Sequence, residues 1–255
     1  MNIASLLPGP MSVVLYGVLV ALFAGFVRGF AGFGLSAFIV AGMSLWLSPQ
    51  IIVPAAMMLE VLASISLLRS VWPHVSWHWI RPLIAGYAFS VPLGVWCLSI
   101  LPELPLRLAV STIILVLALT LLAGFRPQWG DGIGVRFGTG LVAGFMSGLS
   151  SIGGMIAAMM LFTTSLPAAR LRATLIALFV LSSSYALMWA AQHGLVHRGT
   201  LLWAAWLMVP MLVGIMIGRH GFARASESQS RRAMLGVLAA VAAMGVIRAL
   251  WMIFA

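Results

Sequence analysis

The chain reads as an all-α polytopic membrane protein made of two inverted repeats. Three observations predict this. Of its 255 residues, 63% are hydrophobic and 7% charged, against about 25% charged in a soluble domain. Apolar runs such as Met11–Val27, Leu83–Leu101, Leu104–Phe125 and Leu201–Gly218 approach the length of a spanning helix, which needs about 20 residues. A glycine-rich stretch also recurs 119 residues along the chain: Leu22, Ala24, Gly25, Phe26, Gly29 and Gly34 match Leu141, Ala143, Gly144, Phe145, Gly148 and Gly153. His74 and His78 match His193 and His197 at the same offset, so the duplication extends beyond the glycines.

The first repeat occupies residues 1–130 and the second 131–255, joined through the turn-rich stretch Arg126–Gly132. Each half should begin with a broken hairpin, 11–47 and 137–166. The glycine motif is its tip, and the return arm (Leu35–Leu47, Met155–Leu166) is short for a full crossing. Three spanning helices follow in each half: about 50–70, 81–101 and 105–125, then about 169–192, 200–219 and 232–254.

Charge placement selects this topology. All 14 basic residues are Arg and the net charge is +10. If both ends of each hairpin lie on one side, Arg107, Arg198 and Arg248 face one side of the membrane. Arg69, Arg81, Arg126, Arg136, Arg170, Arg172, Arg219, Arg224, Arg231 and Arg232 face the other. Cytoplasmic loops carry the Arg excess, so the second side is cytoplasmic and the protein is placed in the cytoplasmic (inner) membrane. Four crossings per half would spread the Arg residues almost evenly. An odd number of crossings per half inverts the second repeat, so the two tips enter from opposite faces and approach each other. Nucleic acid is not needed to explain the charge, since the Arg residues lie mostly in short loops. Cys97 is the only cysteine, which excludes an intrachain disulfide and a Cys-based metal site. The first 27 residues lack the basic start and cleavage site of a signal peptide.

The tips carry the candidate chemistry. Broken backbone at membrane depth survives only when buried in protein or lining a cavity, and paired breaks in two halves point to a transporter site. Each motif precedes a short helix, whose N-terminal N–H groups favour anions. The candidate binding residues are Arg28, Gly29, Gly32, Phe33 and Gly34 in the first tip, and Ser150, Ser151, Gly153 and Gly154 in the second. Gly25, Gly144 and Gly214 with Gly218 also fit close helix packing. Arg28 costs at least about 2.5 kcal/mol if held at the bilayer centre. It therefore contacts a carboxylate, carbonyls or an anionic substrate, or else snorkels to the interface. Glu60 is the only acid within an apolar helix, so it either pairs with Arg28 or carries a proton. Ser182, Ser183 and Ser184 could line a polar path or bond between helices. The two His-x3-His pairs have metal-compatible spacing but lie at helix ends, so no metal and no cofactor is expected. No nucleophile–base pair or HExxH motif suggests an enzyme.

The paired motifs Gly-Phe-Val-Arg-Gly-Phe-Ala-Gly-Phe-Gly (25–34) and Gly-Phe-Met-Ser-Gly-Leu-Ser-Ser-Ile-Gly-Gly (144–154) resemble the signatures of the TauE/SafE sulfite exporter family. Ala85-Gly86, Pro92-Leu93-Gly94 and Val213–Arg219 are similar to later glycine positions of that family. The first motif departs from it in reading Gly34-Leu35 instead of a double glycine, and in carrying Arg28. The resemblance implies a secondary carrier of small sulfur-containing or organic anions such as sulfite or sulfonates. Its partners are then the anion, the lipid bilayer and, through Glu60, protons. The rival class is a non-transporting membrane scaffold or assembly factor. The sequence carries no signal for oligomeric state.

Overall fold

The computed structural model describes residues 8–125, 132–164, 166–221 and 227–254. Apart from Gly132, the expected linker lies outside them. Ten α-helices are present among the described residues: α1 Met11–Ala31, α2 Leu35–Met43, α3 Pro49–Val71, α4 Trp77–Ile100, α5 Glu103–Leu122, α6 Ile133–Ser150, α7 Gly153–Leu161, α8 Ala168–Gln192, α9 Arg198–Gly221 and α10 Glu227–Phe254. Six stretches are long and apolar enough to cross a membrane: α1, α4, α5, Ala169–Gln192, Arg198–Arg219 and Met234–Ile253. Among the described residues, five of the six expected spanning helices are in this set with ends shifted by a few residues; the expected helix 50–70 is α3, whose apolar stretch Pro49–Ile65 is shorter, and α1 is the sixth. α1 has 21 residues, about 31 Å at about 1.5 Å per residue, so the first arm reaches across a bilayer. Only α2 and α7, nine residues each, are short.

α1 and α2 form a closed hairpin. A Cβ on Gly42 would meet Val20 and one on Gly17 would meet Met43. The Phe23 and Phe38 rings pack edge to face at 5.3 Å, and Tyr16 donates to the Gly42 carbonyl at 3.3 Å. The turn needs left-handed backbone. Gly32 caps α1 at φ 81° and its N–H donates to the Arg28 carbonyl, while Gly34 precedes α2 at φ 94°. The second tip repeats the device with a different residue. Ser151, 119 residues after Gly32, caps α6 at φ 59°. A non-glycine there is strained, and such strain persists where the surroundings enforce it.

The helices pair across the two halves. α1 packs chiefly on α9, α6 on α4, α3 on α8 and α5 on α10. The α1–α9 and α4–α6 seams are glycine-lined and run parallel. Gly25 faces Met211 and Ile215, and Gly29 faces Ile215 and Arg219. Gly86 faces Phe137 and Gly140, and Gly94 faces Phe145 and Leu149. Small residues let backbones touch where lipid offers no hydrophobic drive between helices. Packing therefore explains Gly25, Gly144, Gly214 and Gly218. A Gly29→Val substitution places Cβ on the Ile215 carbonyl and should destabilise by about 1–3 kcal/mol or more. Gly138, with no neighbouring atom within 4 Å of an added Cβ, is the control. Gly138→Ala should leave the unfolding transition in detergent unchanged, whereas Gly29→Val lowers it.

Candidate functional site

Both tips border one small buried cleft of about 320 Å³, open space at its mouth included. Gly34 and Ser36 come from the start of α2, and Glu60 from α3. Ser147, Ser151 and Gly154 come from the second hairpin, and Phe179, Ser182 and Ser183 from α8. The N-termini of α2 and α7 both meet this cleft, and neither has a side-chain cap. Two helix ends with positive partial charge and several hydroxyls therefore converge on one point, which favours a negative ligand.

Arg28 lies beside the cleft and is fully engaged. It is 4% exposed, and its Nη1 donates to the Gly32 carbonyl at 2.8 Å. Nη2 donates to Ser64 Oγ at 2.5 Å and stands 3.0 Å from Glu60 Oε1. The guanidinium covers the Phe179 ring, 4.4 Å from its centroid. The other carboxylate oxygen of Glu60 accepts from Ser36 Oγ at 2.8 Å. The buried ion pair thus ties the tip of α1 and the start of α2 to α3. Each charge compensates the desolvation of the other.

Arg28 borders a second, smaller hollow of about 290 Å³, open space at its mouth included, with Gly29, Gly32, Ala63, Arg172 and Arg219 among its walls. Glu60 and Phe179 face the first cavity and Arg28 faces the second, so the Arg28–Glu60 pair and the Phe179 ring stand between the two.

The sequence-derived candidates divide accordingly. Gly34, Ser151, Gly154 and Glu60 line the cleft, while Arg28, Gly29 and Gly32 line the second cavity. Phe33, Ser150 and Gly153 line neither. The Phe33 ring packs on Phe162 at 5.6 Å. Ser150 donates back to the Met146 carbonyl at 2.8 Å. Gly153 is pressed against Ala143 and Ser147. Of the serine run, Ser182 and Ser183 reach the cleft and Ser184 is exposed.

Ser36, Ser147 and Phe179 were not among the candidates. The repeat offset was a signal for two of them. α3 and α8 begin 119 residues apart, and at that offset Arg28, Glu60 and Ser64 correspond to Ser147, Phe179 and Ser183. The first half fills these positions with an ion pair and a hydroxyl. The second half puts two hydroxyls and a ring around open space.

The histidine pairs are far apart. Ser76, between His74 and His78, donates its N–H to Thr174 Oγ1 at 3.1 Å near the start of α8. His193 and His197 follow the other end of that helix. They cannot form one metal site.

A family model described as "Sulfite exporter TauE/SafE" matches residues 17–245. A curated relative in Cupriavidus necator, named "Probable sulfite/organosulfonate exporter TauE", is 26% identical over 220 residues, covering 83% of this chain and 85% of the relative. No solved structure matches. With the matched region spanning both hairpins and nearly every helix, the chain belongs to the TauE/SafE sulfite exporter family of membrane transport proteins.

Proposed function

We propose that this multi-pass membrane transporter is a secondary carrier that exports a small sulfur oxyanion, sulfite or an organosulfonate, across the cytoplasmic membrane. The observation that carries this reading is the convergence of two uncapped helix N-termini and five serine hydroxyls in one buried cleft between the halves. The chemistry of the cleft suits an oxyanion, and the relative's name supplies the substrate class.

Two inverted repeats, α1–α5 and α6–α10, are the architecture we favour. The reciprocal pairing of α1 with α9 and α6 with α4 supports it, as does the shared left-handed cap at Gly32 and Ser151. Alternating access is then an exchange of conformations between the repeats around the cleft.

Glu60 supplies a route to proton coupling. It borders the cleft, so an arriving anion meets a carboxylate. Two like charges about 4 Å apart repel by roughly 4 kcal/mol at an effective dielectric near 20. A proton on Glu60 removes that repulsion and frees Arg28 from its partner. Anion occupancy and Glu60 protonation are thereby linked.

Flux of labelled sulfite in proteoliposomes tests the carrier reading. Ser182→Ala/Ser183→Ala removes two hydroxyls from the cleft without changing charge or bulk. A hydrogen bond to a charged group contributes about 1.5–3 kcal/mol, so flux at low sulfite should fall about tenfold or more while the protein stays folded. Absence of sulfite and sulfonate flux in the unaltered protein would overturn the reading and favour a non-transporting scaffold.

A further inference from the structure

We infer that the cavity beside the cleft is a second anion site, a vestibule in which Arg28, Arg172 and Arg219 collect a sulfonate- or sulfite-like oxyanion before it passes the Arg28–Glu60 pair. The inference rests on the reading of the chain as an anion carrier.

Three arginines line this cavity, and among the described residues the only carboxylate paired with any of them is Glu60, on Arg28. Arg172 and Arg219 are exposed and have no ion-pair partner among the described residues. Two uncompensated positive charges flank a third that is buried. Arg172 also lies in the first turns of α8, where the helix end adds to the positive potential. Low-dielectric walls concentrate such a field and raise the local concentration of anions. The planar fork of each guanidinium matches two oxygens of a sulfonate or sulfite group.

The vestibule and the cleft share one partition. Arg28 is its vestibule face, and Glu60 with Phe179 is its cleft face. An anion bound by Arg172 and Arg219 competes with Glu60 for Arg28. Transfer of Arg28 from the carboxylate to the incoming anion opens the partition from the vestibule side, driven by the cargo itself. The vestibule is therefore a staging site, and Arg28 is the residue handed from one anion to the other.

Thiol labelling tests this without requiring transport. Cys97 is replaced by Ser, and Ile215, which lines the vestibule, is replaced by Cys. A sulfonate-bearing methanethiosulfonate reagent should react roughly tenfold or more faster than its trimethylammonium counterpart. Arg172→Gln/Arg219→Gln should bring the ratio near one, and methanesulfonate should slow the anionic reagent. Ala63→Cys, a smaller change in the same wall, serves if the Ile215 variant misfolds. A ratio that ignores the Arg substitutions at the tested cysteine overturns the vestibule. Full sulfite flux with no labelling preference overturns the vestibule alone. A retained preference in a protein that moves no sulfite or sulfonate overturns the carrier reading and leaves the vestibule standing.

Discussion

Arg28→Ala should destabilise the protein by about 3–5 kcal/mol, the usual cost of leaving one member of a buried ion pair without its partner. Glu60 would remain buried among Ser36 and the tip of the hairpin with no compensating charge. The substitution also strips a donor from the Gly32 carbonyl and from Ser64, and removes the cation from the face of Phe179. Arg28→Ala/Glu60→Gln should recover at least about 2 kcal/mol of that loss, because the two residues are coupled and not additive. Denaturant unfolding of the four purified forms in one detergent measures the cycle. Additive effects would show that the pair contributes nothing as a pair. The consequence for assigning function is direct. Loss of anion binding in Arg28→Ala alone does not separate a carrier from a scaffold, because the tip itself is expected to loosen.

Glu60→Gln should flatten the pH dependence of sulfite flux and lower flux by about tenfold or more where the proton drives it, while sulfite binding remains measurable. The effect follows from the proposed linkage, in which roughly 4 kcal/mol of repulsion is relieved by the proton. Glutamine keeps the shape and the contact with Ser36 but holds no titratable proton. Flux and equilibrium binding measured across pH separate the outcomes. A variant whose flux keeps the normal pH profile would dismiss Glu60 as the coupling group and leave it as the holder of Arg28.

Composition and the apolar runs made the helical membrane architecture legible, because lipid leaves the backbone few alternatives. The glycine motifs located both tips for the same reason. The apolar run Met11–Val27 already approached spanning length, and the helix extends it through the first residues of the glycine motif to Ala31. Gly29 and Arg28 were candidate tip residues, yet both are helical, as is Gly25, which the sequence already allowed as a packing glycine. Packing on α9 satisfies the two glycines, and Gly32, Ser64 and Glu60 satisfy Arg28.

The candidate site was legible where a residue's own chemistry was unusual for a membrane. Arg28 and Glu60 stood out as charges among apolar neighbours, and their pairing was one of the open readings. Ser36 is an ordinary residue in an apolar helix that only the fold brings to the cleft, and Phe179 was marked only by its place 119 residues after Glu60. Ser150 shows the reverse failure. It sits in the right motif, but its hydroxyl turns back onto its own helix, a habit of serine that sequence spacing does not reveal.

The glycine seams also constrain the order in which the protein is made. The face of α1 that carries Gly25 and Gly29 finds its partner in α9, Arg198–Gly221. While the ribosome is still synthesising the second half, the first hairpin waits in the bilayer with that face covered only by lipid. Neither half can reach its final packing by itself, so α1 completes its assembly near the end of biogenesis although it enters the membrane first.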